Sequence, residues 1–575
     1  MRASSLAQII QGVMMPPLNG IPFTRVRDDG AIRSSNEACH LATNVNLDAL
    51  IPREDFEVLS ANDDAPVPGT IAARNLEPGD FFYLALRKPD FQRETAEWAP
   101  KRVAGLIRTF IEGDLIPAVI LWKHREYLFV IDGSHRLSAL IAWVHDDYGD
   151  GDLSKKFFGD SIPQEQITFA QKTRDAVNAE VGSYADHVAA AREPGDYGPD
   201  IVARARALGS RVLTLQWVRG DELKAEKSFI RINQQAATIT PQELELIEGR
   251  KLPATMAARA IIRRGSGHQS WLSFPQEQQN EIRRLAGEVH ELIFAPALSY
   301  PIKSLNLPSG GAVYSATALR MIYEFVLSSV GVQTDTDENA GLRTIDYLKR
   351  CKRVAELMLS NKPSSLGLHP AIYFYSWTGK QQPILFLTIA DILIEMERSK
   401  SLLNFISRRE KLEEFLFENR PLLNQIIRKF GTKASGRSHL KDFYQGVFDL
   451  IDAGQSSSAI GPLLAKRSAF SYLQPGELAY SGVSPTRYST QVKSGLVIRE
   501  LIPTAPKCPI CRGYVPSQAM SIDHMQRRAD GGPSTVGNAQ ITHPYCNTGV
   551  KEGVVSKQGS SQKVRGQPGD LFNLD

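Results

Sequence analysis

Four soft metal ligands stand in two short pairs near the C-terminus of this 575-residue chain, and no other feature constrains its fold so tightly. Cys508 and Cys511 form the first pair, and His543 and Cys546 form the second. Structural Zn²⁺ takes four Cys or His ligands in a tetrahedron, and a two-residue gap lets one tight turn present both members of a pair. The spacing therefore predicts a small zinc-stapled domain. An inert zinc knuckle would show the same ligands, so the two pairs alone leave catalysis open.

The residues between and just after the two pairs carry chemistry of their own. They are Asp523-His524 after a short β-prone stretch, a Gly531-Gly532 turn, Asn538 and Asn547. A neutral imidazole is a good general base near pH 7, and carboxylate and amide oxygens suit Mg²⁺ or Mn²⁺. These are the parts needed to cut a phosphodiester bond.

In this pattern the segment resembles the HNH (ββα-metal) nuclease family over about 60 residues. The resemblance implies that His524 is the general base that activates water and that Asp523 and Asn547 hold a catalytic Mg²⁺ or Mn²⁺. It also implies that Asn538 braces the loop that orients His524. Two departures stand out: His543 replaces the Cys usual in the family, which zinc accepts, and Asn547 stands where many members have His.

The distribution of charge fits a nuclease at this end of the chain. The net charge is only +4, but residues 481–575 contain 11 lysines and arginines against 6 aspartates and glutamates, which leaves the first 480 residues at −1. Phosphate binding requires such a local basic excess. A solvated basic tail (Lys557, Lys563 and Arg565) explains part of it equally well.

A second informative segment lies in the N-terminal half. Two predicted strands, Ile116 to Trp122 and Tyr127 to Ile131, lead into Asp132-Gly-Ser-His-Arg136, after which apolar residues follow at helical spacing. A strand that runs through Asp-Gly into a helix presents unpaired backbone N–H groups, which can bind an anion. A simple helix cap at Asp132 or Ser134 is the alternative.

The flanking residues make this region resemble the ParB/sulfiredoxin-like domain whose DGQQR motif binds, and often hydrolyses, a nucleoside triphosphate. The match covers about 75–248, with a helical insertion near 153–208, and the motif stands here as Asp-Gly-Ser-His-Arg. The resemblance implies a nucleotide pocket lined by Gln92, Arg93, Asp132, Gly133, Ser134, His135, Arg136 and Asn233. The two middle motif positions differ, which makes NTPase activity less secure than binding of ATP, GTP or CTP. Ser134 replaces the Cys of sulfiredoxin, which argues against thiol redox chemistry.

The remaining chain divides by composition. We expect an α+β multidomain protein with an N-terminal extension (1–74), the ParB/sulfiredoxin-like α/β domain (75–250), an α-helical domain (251–451), a linker (452–490), the zinc-stapled HNH domain (491–556) and a flexible tail (557–575). Basic clusters at Arg408-Arg409 and from Arg428 to Lys441 are expected on the surface, the second as a loop between helices. Either cluster could contact DNA phosphates.

An NTP-responsive module joined to a nuclease is similar to the modification-sensing restriction nucleases of bacteria, particularly the SspE type. The resemblance implies a defence endonuclease that nicks or cleaves double-stranded phage or modified DNA. A non-catalytic ParB-like regulator and a homing HNH nuclease are the alternatives, and RNA as substrate and a homo-oligomer stay open. Only three of the five cysteines cluster, which disfavours disulfides and predicts a cytoplasmic protein. The most apolar run, Ile384 to Ile394, is short and contains Asp391, so we expect no membrane segment.

Overall fold

The computed structural model describes residues 45–54, 67–89, 92, 98–124, 126–157, 162, 164–220, 222–236, 241–266, 269–313, 317–331, 336, 338–476 and 488–551. Within these residues the protein is a mostly helical α+β structure with one six-stranded sheet and one two-stranded sheet. None of the described helices is both long enough and apolar enough to cross a membrane.

The N-terminal part is built on the six-stranded mixed sheet, whose strand order is β1-β3-β5-β4-β6-β2. Its strands are β1 (Arg53–Glu54), β2 (Thr70–Ala72), β3 (Leu86–Pro89), β4 (Val119–His124), β5 (Tyr127–Asp132) and β6 (Val212–Val218). Strands β1, β3 and β5 run parallel to one another, β4 pairs antiparallel with β5, and β2 pairs antiparallel with β6. The two strands predicted between 116 and 131 therefore form, as β4 and β5.

Helices accompany both faces of this sheet. They are α1 (Phe81–Ala85), α2 (Pro100–Glu112), α3 (Ser134–His145), α4 (Asp152–Phe157), α5 (Gln164–Glu180), α6 (Tyr184–Arg192), α7 (Pro199–Leu208), α8 (Glu222–Ala236) and α9 (Pro241–Glu248). Side chains alternate along a strand, so Leu121 and Val130 join the core with α2 and α3. Trp122 and Phe129 instead pack with Phe229 of α8 on the other face.

The middle of the chain is helical throughout its described elements. These are α10 (Pro253–Ile262), α11 (Gln276–Phe294), α12 (Ala318–Val330), α13 (Leu342–Leu359), α14 (Pro370–Tyr373), α15 (Pro383–Arg398), α16 (Leu402–Glu418), α17 (Arg420–Phe430), α18 (Ala434–Asp452) and α19 (Ser457–Ala465). Pro421 stands in the first turn of α17 and separates it from α16, because proline cannot continue a helix in its interior. Helix α19 lies in the predicted linker and buries Ile460 and Leu464 in the helical core.

The predicted loop of basic residues between helices is wrong. Arg428 and Lys429 end α17, and α18 already begins at Ala434, so Arg437 and Lys441 are helical. Only three residues connect the two helices. The glycine and serine residues that suggested a loop are tolerated because α18 buries an apolar stripe that includes Leu440, and burial outweighs weak local propensity.

The C-terminal part begins with α20 (Thr490–Leu501) and contains a hairpin of β7 (Ser521–His524) and β8 (Ala539–Thr542), followed by a π-helical turn (Cys546–Lys551). Its cysteines do not form a separate core. Cys508, Cys511 and Cys546 belong to the same cluster of buried side chains as helices α10 to α19. The helical part therefore supports the C-terminal site directly.

Candidate active site and metal centre

The two ligand pairs predicted from sequence meet in space. The sulfur atoms of Cys508, Cys511 and Cys546 and a ring nitrogen of His543 lie within 4.8 Å of one another, and all four residues are buried. His543 Nδ1 is 3.2 Å from Cys511 Sγ, while its Nε2 is 3.0 Å from the backbone oxygen of Tyr514. A carbonyl that accepts the second ring N–H fixes the tautomer and orientation of a metal-binding histidine. The cluster is therefore a preformed metal-binding site of three thiols and one imidazole.

The electrostatics of the cluster suit a cation. Hydrogen bonds from Cys511 and Cys546 hold the pKa of the Cys508 thiol well below its ordinary value. The hydrogen bond with Cys508 raises the pKa of Cys511 to about 12, and that of Cys546 is raised too. Burial lowers the pKa of His543, so its ring is neutral. A bound metal cation favours the ionised form of each thiol, so all three sulfur atoms can bind it as thiolates.

The hairpin that carries the Asp-His pair leads directly into this cluster, since His543 follows the last residue of β8. Asp523 and His524 are the last two residues of β7 and pair with Gln540 and Ala539 of β8. The Asp523 side chain is buried and accepts a hydrogen bond from Gln540 Nε2 at 2.8 Å. His524 is half-buried, and its Nε2 lies 3.0 Å from Ser534 Oγ. Alternation along the strand thus turns the carboxylate inward while the imidazole stays accessible.

Asn538 stabilises the turn that connects β7 and β8 through three hydrogen bonds to its backbone. Its Oδ1 accepts from the Gln526 backbone N–H at 2.7 Å, and its Nδ2 donates to the carbonyls of Gln526 and Pro533 at 3.0 and 2.8 Å. The turn also needs glycine at position 532, since an added Cβ would lie 2.0 Å from the backbone oxygen of Gln526. Both features hold the segment that follows His524 in one conformation.

The π-helical turn brings two further side chains against β7. Asn547 Nδ2 donates to Ser521 Oγ at 2.8 Å. Lys551 Nζ lies 2.8 Å from Asp523 Oδ1 and 2.9 Å from Oδ2, and it also donates to the backbone carbonyl of His524. Four of the sequence-predicted residues, Asp523, His524, Asn538 and Asn547, therefore belong to one compact site around the hairpin.

Arg409 and Glu413 of helix α16 form a buried ion pair next to the turn that carries Cys508 and Cys511. Arg409 donates to the carbonyls of Leu366 and Gly367 at 2.5 and 2.9 Å, and Glu413 Oε2 accepts from the Tyr514 backbone N–H at 2.5 Å. The backbone N–H of Tyr545 also donates to the Ser365 carbonyl at 2.9 Å. The loop between α13 and α14 and helix α16 therefore hold both ligand-bearing turns.

The predicted nucleotide-binding residues gather in part at the carboxyl edge of β3 and β5. Asp132 ends β5 and forms a 2.6 Å ion pair with Arg136, and Gly133 has φ of 96°, a conformation that favours glycine. Ser134 begins α3 and is buried, and His135 stacks on Trp98 with ring centroids 5.7 Å apart.

Of the other residues of that predicted pocket, the structure describes the side chain of Gln92 but not those of Arg93 and Asn233. Gln92 follows β3 and is buried, and its Oε1 has no hydrogen-bond partner among the described residues. Arg93 lies outside the described residues. Asn233 lies on α8, and its side chain is also outside the described part.

Sequence reasoning missed three residues that complete the C-terminal site. Lys551 follows Asn547 by four residues, the spacing that puts two side chains on one side of a helical turn, which could have indicated it. The dipeptide Arg408-Arg409 predicts an exposed basic cluster, and this is wrong for Arg409, which is buried together with Glu413. Their spacing with Phe405, Leu412 and Leu416 places them on the apolar stripe of α16.

Comparison with known protein families agrees with this arrangement at both ends of the chain. Residues 77–246 match the family model described as the GmrSD restriction endonuclease, N-terminal domain. Residues 508–552 match the model of the HNH endonuclease and include the whole metal cluster and the hairpin. No curated protein and no solved structure matches the chain.

The two matches do not favour the regulator or the homing nuclease as alternatives. They imply DNA as the substrate and hydrolysis as the reaction. The chain is therefore a restriction-type defence DNA endonuclease that combines a GmrSD-type N-terminal domain with an HNH nuclease domain.

Proposed function

We propose that the C-terminal site is a zinc-stapled nuclease centre in which His524 is the general base and Asp523 and Asn547 hold a catalytic Mg²⁺ or Mn²⁺. The observation that carries this is the hairpin, which sets a buried carboxylate and an accessible imidazole on adjacent residues of β7 and whose second strand leads directly into His543 of the metal cluster. Three thiols and an imidazole are ligands that zinc prefers, whereas carboxylate and amide oxygens suit Mg²⁺ or Mn²⁺. The two ligand sets thus fit two different metals.

Each side chain of the site has a separate role in hydrolysis. Ser534 orients the His524 ring through Nε2, and an imidazole held through one nitrogen presents the other to a water molecule. Asn538 keeps the following turn in place. A divalent metal bound by Asp523 and Asn547 would supply the positive charge that stabilises the phosphorane and the leaving oxygen.

We propose further that the N-terminal domain has a ParB/sulfiredoxin-like fold and binds a nucleoside triphosphate at Asp132-Gly-Ser-His-Arg136, thereby licensing cleavage of phage or modified DNA. The Gly133 turn at the start of α3 supports an anion site there, and the buried Gln92 Oε1, which has no partner among the described residues, is an acceptor for an N–H or O–H group of the ligand. Neighbouring parallel strands bring these residues to one edge of the sheet.

A nicking assay on supercoiled plasmid and on modified and unmodified phage DNA tests the proposal. It is run with Mg²⁺ or Mn²⁺ and with ATP, GTP, CTP or no nucleotide. We expect His524→Ala to lose nicking and keep its zinc, and His439→Ala, outside the HNH match, to keep both. DNA that stays intact under every condition, or a His524→Ala variant that still nicks, would overturn the nuclease assignment.

The nucleotide-binding role is tested separately with Asp132→Asn. This change removes the charge that pairs with Arg136 and leaves the C-terminal site untouched. We expect weaker nucleotide binding by calorimetry and a loss of nucleotide-stimulated nicking, with basal nicking kept. Unchanged nucleotide binding would contradict the assigned pocket.

A further inference from the structure

The ammonium group of Lys551 occupies the place where the divalent metal is expected. Its Nζ contacts both carboxylate oxygens of Asp523, at 2.8 and 2.9 Å, and donates to the backbone carbonyl of His524. Three oxygen atoms therefore converge on one cationic nitrogen. Hard divalent cations take the same kind of oxygen ligands.

Burial gives this contact more weight than a surface ion pair. The Asp523 side chain is 5% exposed and that of Lys551 is 18% exposed. A buried carboxylate needs a compensating charge or hydrogen bonds, because removal from water penalises its ionised form. Among the described residues Lys551 is the only cationic side chain paired with Asp523, and Gln540 supplies a neutral donor.

We propose that Lys551 is a built-in placeholder for the catalytic metal: its ammonium neutralises Asp523 while the metal is absent, and an arriving divalent cation displaces it. This inference rests on the proposed role of Asp523 as a metal ligand. A lysine suits the task, since its charge sits on a flexible four-carbon stem and can leave while the backbone of the π-helical turn stays in place. A divalent cation and an ammonium group cannot share the same three oxygens, because their repulsion at that separation is large.

Competition of this kind sets the metal affinity of the site. The apparent dissociation constant for the metal equals the intrinsic one divided by the fraction of protein in which Lys551 does not hold the carboxylate. The placeholder therefore preserves the geometry of the empty site and weakens metal binding at the same time. Removing the ammonium should tighten metal binding, and adding metal should release the ammonium.

Release of the ammonium is measured by pulsed amine acetylation of the zinc-loaded full-length protein, with mass spectrometry of the peptide that contains Lys551. We expect slow labelling without divalent metal and labelling about tenfold faster in saturating Mn²⁺ or Mg²⁺. Lys507, 40% exposed and 3.8 Å from Glu414, is the internal control and should not respond. Asp523→Asn should label fast without metal. Labelling of Lys551 that stays the same or slows when metal binds would overturn the placeholder.

Metal affinity is measured independently by Mn²⁺ electron paramagnetic resonance. Lys551→Met keeps the length of the side chain and removes its charge, and we expect it to bind Mn²⁺ about tenfold more tightly, which is about 1.4 kcal/mol. Lys507→Met removes a charge elsewhere in the HNH domain and should leave the affinity unchanged. Zinc content by elemental analysis checks that each variant is folded.

The two experiments separate failure of the placeholder from failure of the proposed function. If Asp523→Asn binds Mn²⁺ as well as wild type, Asp523 is not a ligand and the proposed metal site itself is wrong. If Asp523→Asn abolishes binding but Lys551→Met does not strengthen it and Lys551 labelling ignores metal, only the placeholder is wrong.

Discussion

Arg409 and Glu413, one turn apart on helix α16, form an ion pair at 2.7 Å in which neither side chain is more than 1% exposed. The arginine also bonds the carbonyls of Leu366 and Gly367, and the second oxygen of the glutamate takes the Tyr514 N–H. The pair thus joins the helical part to the turn that carries Cys508 and Cys511. It positions the metal cluster without contacting the reacting groups.

Replacing Arg409 with Met should destabilise the protein strongly. It leaves the Glu413 carboxylate buried without a cation, and breaking such a pair costs about 3–5 kcal/mol. Arg408→Met is the matched control, since Arg408 pairs with the half-exposed Asp452 and such pairs contribute about 0–1 kcal/mol. Urea unfolding with zinc analysis measures both effects. Equal losses in the two variants would contradict a structural role for the buried pair.

Loss of a cluster ligand should remove both the bound metal and the nicking activity. Cys511→Ser should release the metal and lose nicking, because structural zinc contributes directly to folding. Cys351→Ser, a buried cysteine of α13 outside the cluster, should keep its metal. Zinc analysis beside the nicking assay measures this, and a Cys511→Ser protein with full zinc would show that the cluster is not the site.

Gly532→Ala should impair nicking far more than Gly537→Ala in the same connection. The Cβ of Ala at position 532 would lie 2.0 Å from the backbone oxygen of Gln526, whereas a Cβ at position 537 has no heavy atom within 4 Å. We expect the turn after His524 to shift, with a stability cost of about 1–3 kcal/mol and a fall in rate on the order of 10²-fold. Single-turnover nicking rates at equal zinc content test this. Similar rates for both variants would show that the turn does not position the base.

The pH dependence of stability should contain a contribution from His369. Burial lowers its pKa to about 4, while an unfolded histidine titrates at about 6.5. Between these pH values the unfolded chain binds a proton that the folded protein does not. The free energy of unfolding therefore falls as pH drops through this window, by about 3 kcal/mol in total, and levels off outside it.

The measurement is urea unfolding from pH 4.5 to 7.5 for wild type and His369→Gln. We expect the difference between the two stability curves to shrink as pH falls, since the variant lacks the titrating imidazole. Effects of carboxylates and cluster thiols are common to both proteins and cancel. Parallel curves would show that His369 is not buried as a neutral ring.

Several elements follow from local sequence alone. Contiguous apolar residues predict β4 and β5, because a strand that is covered on both faces buries successive side chains. The spacing of Cys508, Cys511, His543 and Cys546 predicts the metal cluster, since each pair needs only one turn to present its ligands. The mistaken loop at residues 428 to 441 shows the limit, because polar residues in α18 are outweighed by burial of its other side.

Local spacing and ligand chemistry thus determined the metal cluster, and the resemblance of the segment to HNH nucleases implied the roles expected of Asp523 and His524. Only the tertiary structure decided that Arg409 is buried beneath Tyr514 rather than exposed with Arg408, and that Lys551 lies on Asp523. Glu413 and Tyr514 are 101 residues apart in sequence. Contacts over such separations depend on how helices pack, and packing is set by the sum of buried surfaces rather than by any short motif.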